Sequence, residues 1–264
     1  MSSREVEIIA NPVDEQTTRV HWLTAMVVAG VIWLLAISPR GRDVLVLVGL
    51  WTVVVIVHVS VFITWGRVRS RTIEEIGLFF GPAVCSVRVD KMLMRINAIP
   101  LGGFVKFAGA DERTGAPLPG SYLLLHRWER VGMNLAAPAA TLVFAAVLLG
   151  PRAAVASFSA GFGQLVDAAL HPRSVAVPLI AQLFELLESG RLLAVLGVLA
   201  AKSATVNLFP LPIMNGGHAI IEAAQRLVPI PVKVQTALQL ASLFVALAVL
   251  ATWLWALAAF FAQP

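Results

Sequence analysis

The sequence predicts an all-α polytopic membrane protein with about five transmembrane helices and a membrane-associated β-hairpin loop. Three observations predict this class: the composition, five apolar segments of about membrane length, and one charged region between the second and third of these segments. Of the 264 residues, 58% are hydrophobic and only 13% are charged, and the mean hydropathy is +0.83. A soluble domain carries about 25% charged residues. A chain this apolar belongs in a lipid bilayer.

A helix needs about 20 consecutive apolar residues to cross the hydrocarbon core of a bilayer. Five segments reach or approach this length: Val20–Ile37, Val44–Trp65, Val131–Leu149, Leu192–Leu208 and Val234–Phe261. Pro39 and Gly41 lie between the first two segments and predict a tight turn there. We interpret residues 150–191 as an external segment that contains one amphipathic piece, Val177–Leu187.

Residues 66–130 form the charged region and contain 10 of the 20 lysines and arginines. Under the positive-inside rule this loop is cytoplasmic, which places the N-terminus in the cytoplasm and the C-terminus outside. Within the loop, GLFFGPAVCSVRV and LMRINAIPLGGFVKFAG alternate apolar and polar residues around glycine and proline. This pattern predicts short strands and turns that lie against the membrane.

The net charge and the cysteine content argue against some classes of function. The net charge of +5 does not indicate nucleic-acid binding, because the basic residues cluster beside apolar segments, where they set topology. Cys85 is the only cysteine, which excludes an intramolecular disulfide and a cysteine-based metal site. The first 19 residues carry four acidic side chains, unlike the start of a signal peptide, so we expect the first apolar segment to be retained.

Two stretches carry residues that are unusual for a membrane helix. His58 lies inside the apolar run VVVIVHVSVFITW, and an ionisable residue there indicates function by default. The second stretch is NLFPLPIMNGGHAIIEAAQRL, in which an apolar segment meets two prolines and then two adjacent glycines. Irregular backbone at membrane depth often marks a binding site. The alternative is a simple helix end followed by an interfacial helix.

Four stretches, in order, resemble the site-2 proteases, a peptidase M50-like family of intramembrane zinc metalloproteases. VVVIVHVSVF is similar to the helix that carries the family's His-Glu-x-x-His, and INAIPLGGFVKFAG resembles the family's IPLGGYVKM segment. RWERVGMNLAAPAATLVFA looks like the next span, and NLFPLPIMNGGH resembles NLLPxPxLDGGH, whose aspartate is the third zinc ligand. The resemblance implies a site-2-protease-like core over residues 44–264. Residues 1–43 would then form an N-terminal cytoplasmic arm and an extra transmembrane helix.

The sequence departs from the family pattern at the positions that carry its chemistry. His58 stands at the first ligand position, Val59 stands where the family has its glutamate, and Phe62 stands where it has its second histidine. Asn215 replaces the aspartate. In the next span, Ala137 and Thr141 replace the family's glycine and asparagine. Catalytic zinc takes three protein ligands and keeps one open position. The resemblance therefore implies that this chain has no catalytic residues and no zinc cofactor.

Three roles for His58 stay open at this point. It can be the remnant of a zinc site, hydrogen-bonded to Asn215 if the two spans pack as in the family. It can be a histidine tolerated between spans without a special partner. It can also belong to a metal site rebuilt from His58 and His218, with Glu222 as the nearby carboxylate.

The first functional hypothesis is a catalytically inactive membrane protein that binds or regulates a membrane-protein partner, such as an active protease or a membrane-bound transcriptional regulator. We expect it in the bacterial inner membrane. The resemblance implies that these residues contact the partner: Ile99, Pro100, Leu101, Gly102, Gly103, Phe104, Val105, Asn215, Gly216 and Gly217.

Two other functions are weighed against this one. The alternative is an active intramembrane zinc metalloprotease with non-standard ligands that performs regulated intramembrane proteolysis. A transport role ranks last, because Lys202 and His58 are nearly the only ionisable residues inside the spans. We expect Lys202 to contact a backbone carbonyl or an acidic partner, or to reach toward the membrane interface.

Overall fold

The computed structural model describes residues 15–263 except 38, 91, 112, 113, 115 and 229. The chain divides into two compact units, Met1–Leu125 and His126–Pro264, and each is described by itself. The predicted domain boundary after residue 43 is a different division and stays a prediction. Most of the predicted N-terminal arm, residues 1–14, lies outside the described residues.

The first unit begins with two helices, α1 (Glu15–Ala36) and α2 (Pro39–Val68). Helix α2 begins earlier than predicted, because Pro39 already belongs to it. A proline fits the first turn of a helix, where its missing N–H has no intrahelical partner to lose. Residues Arg40–Val68 are long and apolar enough to cross a membrane.

A β-hairpin follows, formed by β1 (Ile73–Val89) and β2 (Met92–Phe107), which pair antiparallel. The hairpin is confirmed, but its strands are longer than the short strands that were predicted. Residues 75–78 of β1 pair with residues 103–106 of β2 and also with residues 93–96 of the same strand. The hairpin is therefore bent back on itself. The bend falls at Phe79 and Gly81, where φ is +70° and +85°. The buried Asn97 stabilises it by donating a hydrogen bond to the Phe79 carbonyl at 3.0 Å.

The hairpin packs directly on α2. Val55, Val59 and Ile76 form a buried apolar cluster between the helix and β1. Gly103 of β2 lies against the same face of α2: a Cβ atom built there would be 2.8 Å from Val59 Cγ2 and 2.9 Å from Val55 Cγ1. Real Cβ atoms do not approach other atoms this closely. Glycine at position 103 therefore allows the strand backbone to contact the helix.

The regular elements described in the second unit are all helices. These are α3 (Arg127–Leu149), α4 (Pro151–Leu170), α5 (Val177–Glu188), α6 (Leu192–Leu208), α7 (Asn215–Ala224) and α8 (Val232–Phe261). His126 and Glu129 cap the start of α3 reciprocally. Helix α3 packs on α6 and α7, and α4 also packs on α6. Helix α5 meets α8 through Phe184, whose ring lies 5.0 Å from that of Phe260.

Four helices in the described part of the chain can cross a membrane by length and composition. They cover Arg40–Val68, Arg127–Leu149, Pro151–Leu170 and Lys233–Phe261. Three of the five predicted segments lie within or nearly within these helices. The segment Leu192–Leu208 forms α6, which is a shorter apolar helix, and the predicted segment Val20–Ile37 corresponds to the apolar helix α1.

Helix α4 was not predicted, because residues 150–191 were interpreted as an external segment. Its polar residues lower the hydropathy of this stretch without breaking the helix. The polar positions are Arg152, Ser157, Ser159, Gln164 and Asp167. The predicted amphipathic piece corresponds to α5, which buries Ile180 and Phe184 on one face.

We expect the Gly103→Ala variant to be less stable than the wild type by about 1–3 kcal/mol, because the added methyl group overpacks the contact with α2. The measurement is thermal unfolding of the purified protein in detergent. Gly109→Ala is the matched control, since a Cβ at Gly109 meets no atom within 4 Å. Equal midpoints for the two variants would contradict the close contact.

Candidate functional site

The first part of the candidate site lies on α2, around His58. His58 is buried, with 9% of its surface exposed. Phe62 follows one helical turn later on the same face, and the two rings lie 5.6 Å apart with a tilt of 56°. The family places its second zinc-binding histidine at this position. Here an aromatic ring packs beside the imidazole and offers no donor to a metal.

Val59 occupies the position of the family's glutamate. Only 3% of its surface is exposed, and it belongs to the cluster with Val55 and Ile76. Consecutive residues of a helix point about 100° apart, so Val59 does not share the face of His58. Its side chain lies against β2 at Gly103. The residue at the position of the general base is therefore a packing residue between helix and hairpin.

The stretch Ile99–Val105 of β2 divides into two parts. Ile99 and Leu101 are exposed by 43% and 45%, and together they form an apolar strip on the hairpin. Gly103 and Val105 instead pack toward α2. The ring of Phe104 lies over Gly77 and stacks on Phe80 at 5.9 Å. The predicted contact residues thus comprise an exposed strip and an anchored end.

In the second unit, α7 begins at Asn215, after the break between α6 and α7. The amide of Met214 donates to the Leu211 carbonyl at 2.7 Å and closes a tight turn. Gly216 and Gly217 are buried, and a Cβ on either would collide with the backbone of Leu208 or Leu211. The paired glycines therefore let the first turn of α7 lie directly on the end of α6.

Glu222, on the same helix, forms an ion pair with Arg130 of α3. Its Oε2 atom accepts from Nη2 at 2.9 Å and from Nε at 3.1 Å, and both side chains are mostly buried. His218 lies one turn before Glu222, outside the candidate membrane spans. Burial lowers the pKa of His218, and the Glu222 carboxylate partly opposes this shift. Glu222 thus lies close to two side chains and forms its ion pair with Arg130.

The residues present do not fit the family's three-ligand zinc site. Of the three ligand positions, His58 offers an imidazole, Phe62 has no donor atom, and Asn215 offers only a neutral amide. Among the residues that the structure describes, no three His, Cys, Asp or Glu side chains form a group that could hold a metal ion. His58 belongs to the first unit and Asn215 to the second, so their hydrogen bond stays a prediction.

Comparison with known protein families shows to which family this chain belongs. The model of peptidase family M50 matches residues 46–249, which is more than half of the sequence. The chain belongs to peptidase family M50. A Chlamydia trachomatis protein named "Putative zinc metalloprotease" is 26% identical over 106 residues. That match covers 36% of this M50 protein and 17% of the relative.

Family membership confirms the resemblance deduced from the four sequence stretches. Together with the four candidate spans, it identifies an integral membrane protein of a metalloprotease-like family. The chain matches a small part of the curated relative's length, so that protein's name alone assigns no activity here.

The ion pair between Arg130 and Glu222 generates a stability prediction. We expect Glu222→Gln to lower the free energy of unfolding by about 1.5–3 kcal/mol, because a charged hydrogen bond is lost in a mostly buried site. Arg130→Met should cost a similar amount, and the double variant should cost clearly less than the sum. Chemical unfolding in detergent measures all three. Additive costs would show that the two groups are not coupled.

Proposed function

We propose that this M50 protein is catalytically inactive and binds a membrane-protein partner without cleaving it. The observation that carries the proposal is the position of Val59. Peptide hydrolysis needs a general base within hydrogen-bond reach of the attacking water. The side chain at the base position is an aliphatic group buried against the hairpin.

The proposed function does not include zinc binding, because the side chains at the family's ligand positions provide too few donor atoms. His58 contributes one imidazole, and its neighbour one turn along is Phe62. A single strong ligand with a neutral amide does not hold catalytic zinc. We propose that His58 is a remnant of the family's site, and that Asn215 is its partner.

The alternative is an active protease with ligands recruited from α7. It requires His218 as a ligand and Glu222 as the carboxylate. The ion pair with Arg130 opposes this arrangement, because activating water would require Glu222 to leave its cation. No observation on the described residues favours the alternative.

Partner binding rests on the elements that the chain keeps. An extended segment binds a sheet by strand addition, in which backbone hydrogen bonds provide affinity and side-chain pockets provide specificity. The exposed strip at Ile99 and Leu101 offers apolar contacts beside the hairpin. Gly216 and Gly217, which were predicted to contact the partner, are buried against the backbone of Leu208 and Leu211, so the hairpin strip carries the proposed contact. An active protease or a membrane-bound transcriptional regulator fits such a surface, and we place both proteins in a bacterial inner membrane.

Zinc content tests the inactive assignment. We expect less than about a tenth of an equivalent of zinc per chain in the wild type and in His58→Ala, because a three-ligand set is missing. The protein is purified in detergent without a histidine tag, and zinc is measured by elemental analysis. A zinc protein of known content, carried through the same buffers, calibrates the measurement. Stoichiometric zinc that disappears in His58→Ala would overturn the proposal.

Crosslinking in living cells tests partner binding. A photo-reactive amino acid at Leu101 should capture a membrane protein of full length, because the partner is held and not cut. The control position is Val87, which is also exposed on the hairpin but lies outside the Ile99–Val105 stretch. Captured material consisting of cleaved fragments would contradict the inactive assignment. Equal capture from both positions would contradict the contact surface.

A further inference from the structure

The charge of Lys202 has no acidic counterpart in the helices around it. Lys202 lies within α6, and its ammonium donates to the Ser157 carbonyl and to Gln164 Oε1, both at 2.6 Å. Both acceptors are neutral oxygens on α4. An ammonium has three N–H donors, so these two hydrogen bonds leave one donor and the whole charge uncompensated.

No acidic residue of the described helices neutralises this charge. Helix α6 contains no Asp or Glu, and α4 contains only Asp167. Asp167 is exposed and forms no ion pair with Lys202 within the part of the chain that the structure describes. Ionisable residues inside membrane spans pair with one another or with backbone carbonyls and mark functional sites. Lys202 binds a backbone carbonyl, that of Ser157, but no carboxylate pairs with it among the described residues.

The depth of the ammonium in α4 restricts what the anion can be. Helix α4 has 20 residues. At 1.5 Å per residue this is about 30 Å, the thickness of the hydrocarbon core. Ser157 lies six residues after the start of α4 and Gln164 six residues before its end. Because Lys202 binds both, its ammonium lies beside the middle of the helix. A lipid phosphate lies at the membrane surface, whereas a side chain of another helix reaches this depth.

The surface beside Lys202 allows a second helix to approach. Near Lys202, helices α4 and α6 are tightly packed on each other. Thr205 donates to the Phe158 carbonyl at 2.7 Å, and a Cβ at Gly161 would collide with the Thr205 side chain. Lys202 itself is only partly buried. Next to its acceptors, α4 exposes a row of small residues at helical spacing, which lets helix backbones come close. The row consists of Ala153, Ala156, Ala160 and Gly163.

We propose that Lys202 and the small-residue face of α4 bind a transmembrane helix of a partner protein that carries an aspartate or glutamate near its middle. The carboxylate accepts the remaining N–H of the ammonium, and the pair of opposite charges is neutral within the bilayer. This proposal extends the partner binding described above to a second surface. It uses no residue of the zinc-site remnant, so it can fail while the inactive assignment holds.

Designed peptides test the site in the full chain. The protein is labelled with a donor fluorophore at Cys85, its single cysteine, which is exposed. It is reconstituted into phosphatidylcholine vesicles with acceptor-labelled leucine–alanine helices of about 20 residues that carry Asp, Asn or Lys at the centre. Energy transfer measures binding. We expect the Asp peptide to bind about ten-fold more tightly than the Asn peptide, and the Lys peptide to bind worst.

Variants assign the preference to one side chain. Lys202→Met should remove the preference for Asp over Asn, while Lys202→Arg, which keeps the charge, should retain it. Thr205→Val is the matched control, because it loses a contact between the same helices without changing the charge. Asp167→Asn should also retain the preference. Circular dichroism establishes that each variant is folded, and the ranking of the three peptides on the wild type tests the proposal even if Lys202→Met does not fold.

Three results would overturn the proposal. The first is equal affinity of the wild type for the Asp and Asn peptides. The second is a preference for Asp that persists in folded Lys202→Met. The third is selective retention of spin-labelled phosphatidylglycerol by the wild type and not by Lys202→Met, without any peptide preference, which would assign the charge to a lipid phosphate. Each of these results leaves the zinc measurement unaffected.

Discussion

The contact between the backbone of β2 and one face of α2 is the constraint on which the first unit depends. Gly103 has no side chain to separate strand from helix, and Val55 and Val59 close the space around it. Because α2 is a candidate membrane span, this contact attaches the sheet to an element that the bilayer itself orients. Val59 closes the contact, and it stands where the resemblance places the family's catalytic glutamate. The packing of the hairpin therefore depends on the side chain at that position.

The second unit is stabilised in a different way, by polar side chains that join apolar helices. Lys202 and Thr205 of α6 both reach backbone carbonyls of α4. These carbonyls lie within a helix and use a second lone pair to accept the extra hydrogen bond. In hydrocarbon there is no hydrophobic force between helices, so small residues and such hydrogen bonds hold them together. Arg130 and Glu222 add an ion pair where α7 meets α3.

Sequence patterns predicted the parts of the fold that depend on local composition. Apolar length predicted the helix containing His58, and alternation around glycine and proline predicted the hairpin. The strands were expected to be short because Gly81 and its neighbours indicate a turn, whereas the positive φ angles at Phe79 and Gly81 bend one long strand. Helix α4 was missed because its polar residues lower the hydropathy of the stretch. Gln164 binds Lys202 of α6, whereas Ser159 and Asp167 are exposed, and a hydropathy pattern cannot distinguish these two kinds of position.

Contacts between distant residues were beyond a single sequence. Arg130 and Glu222 are 92 residues apart, and no spacing rule connects them. Lys202 was predicted to contact a carbonyl or an acidic residue, or to reach toward the membrane interface. Its ammonium donates to a backbone carbonyl and a side-chain amide oxygen of α4. The pairing of His58 with Asn215 concerns residues of different units and stays a prediction. The candidate site was thus predictable in its residue types, and its tertiary partners were not.

The burial of Val59 has a consequence for how this protein can evolve. A carboxylate introduced at this position would enter an apolar cluster before any metal were present to stabilise it, which is costly. A histidine at position 62 would gain nothing while position 59 remains aliphatic. A variant that regains the family's motif therefore needs several substitutions together, and it also needs a new packing arrangement where α2 meets the hairpin.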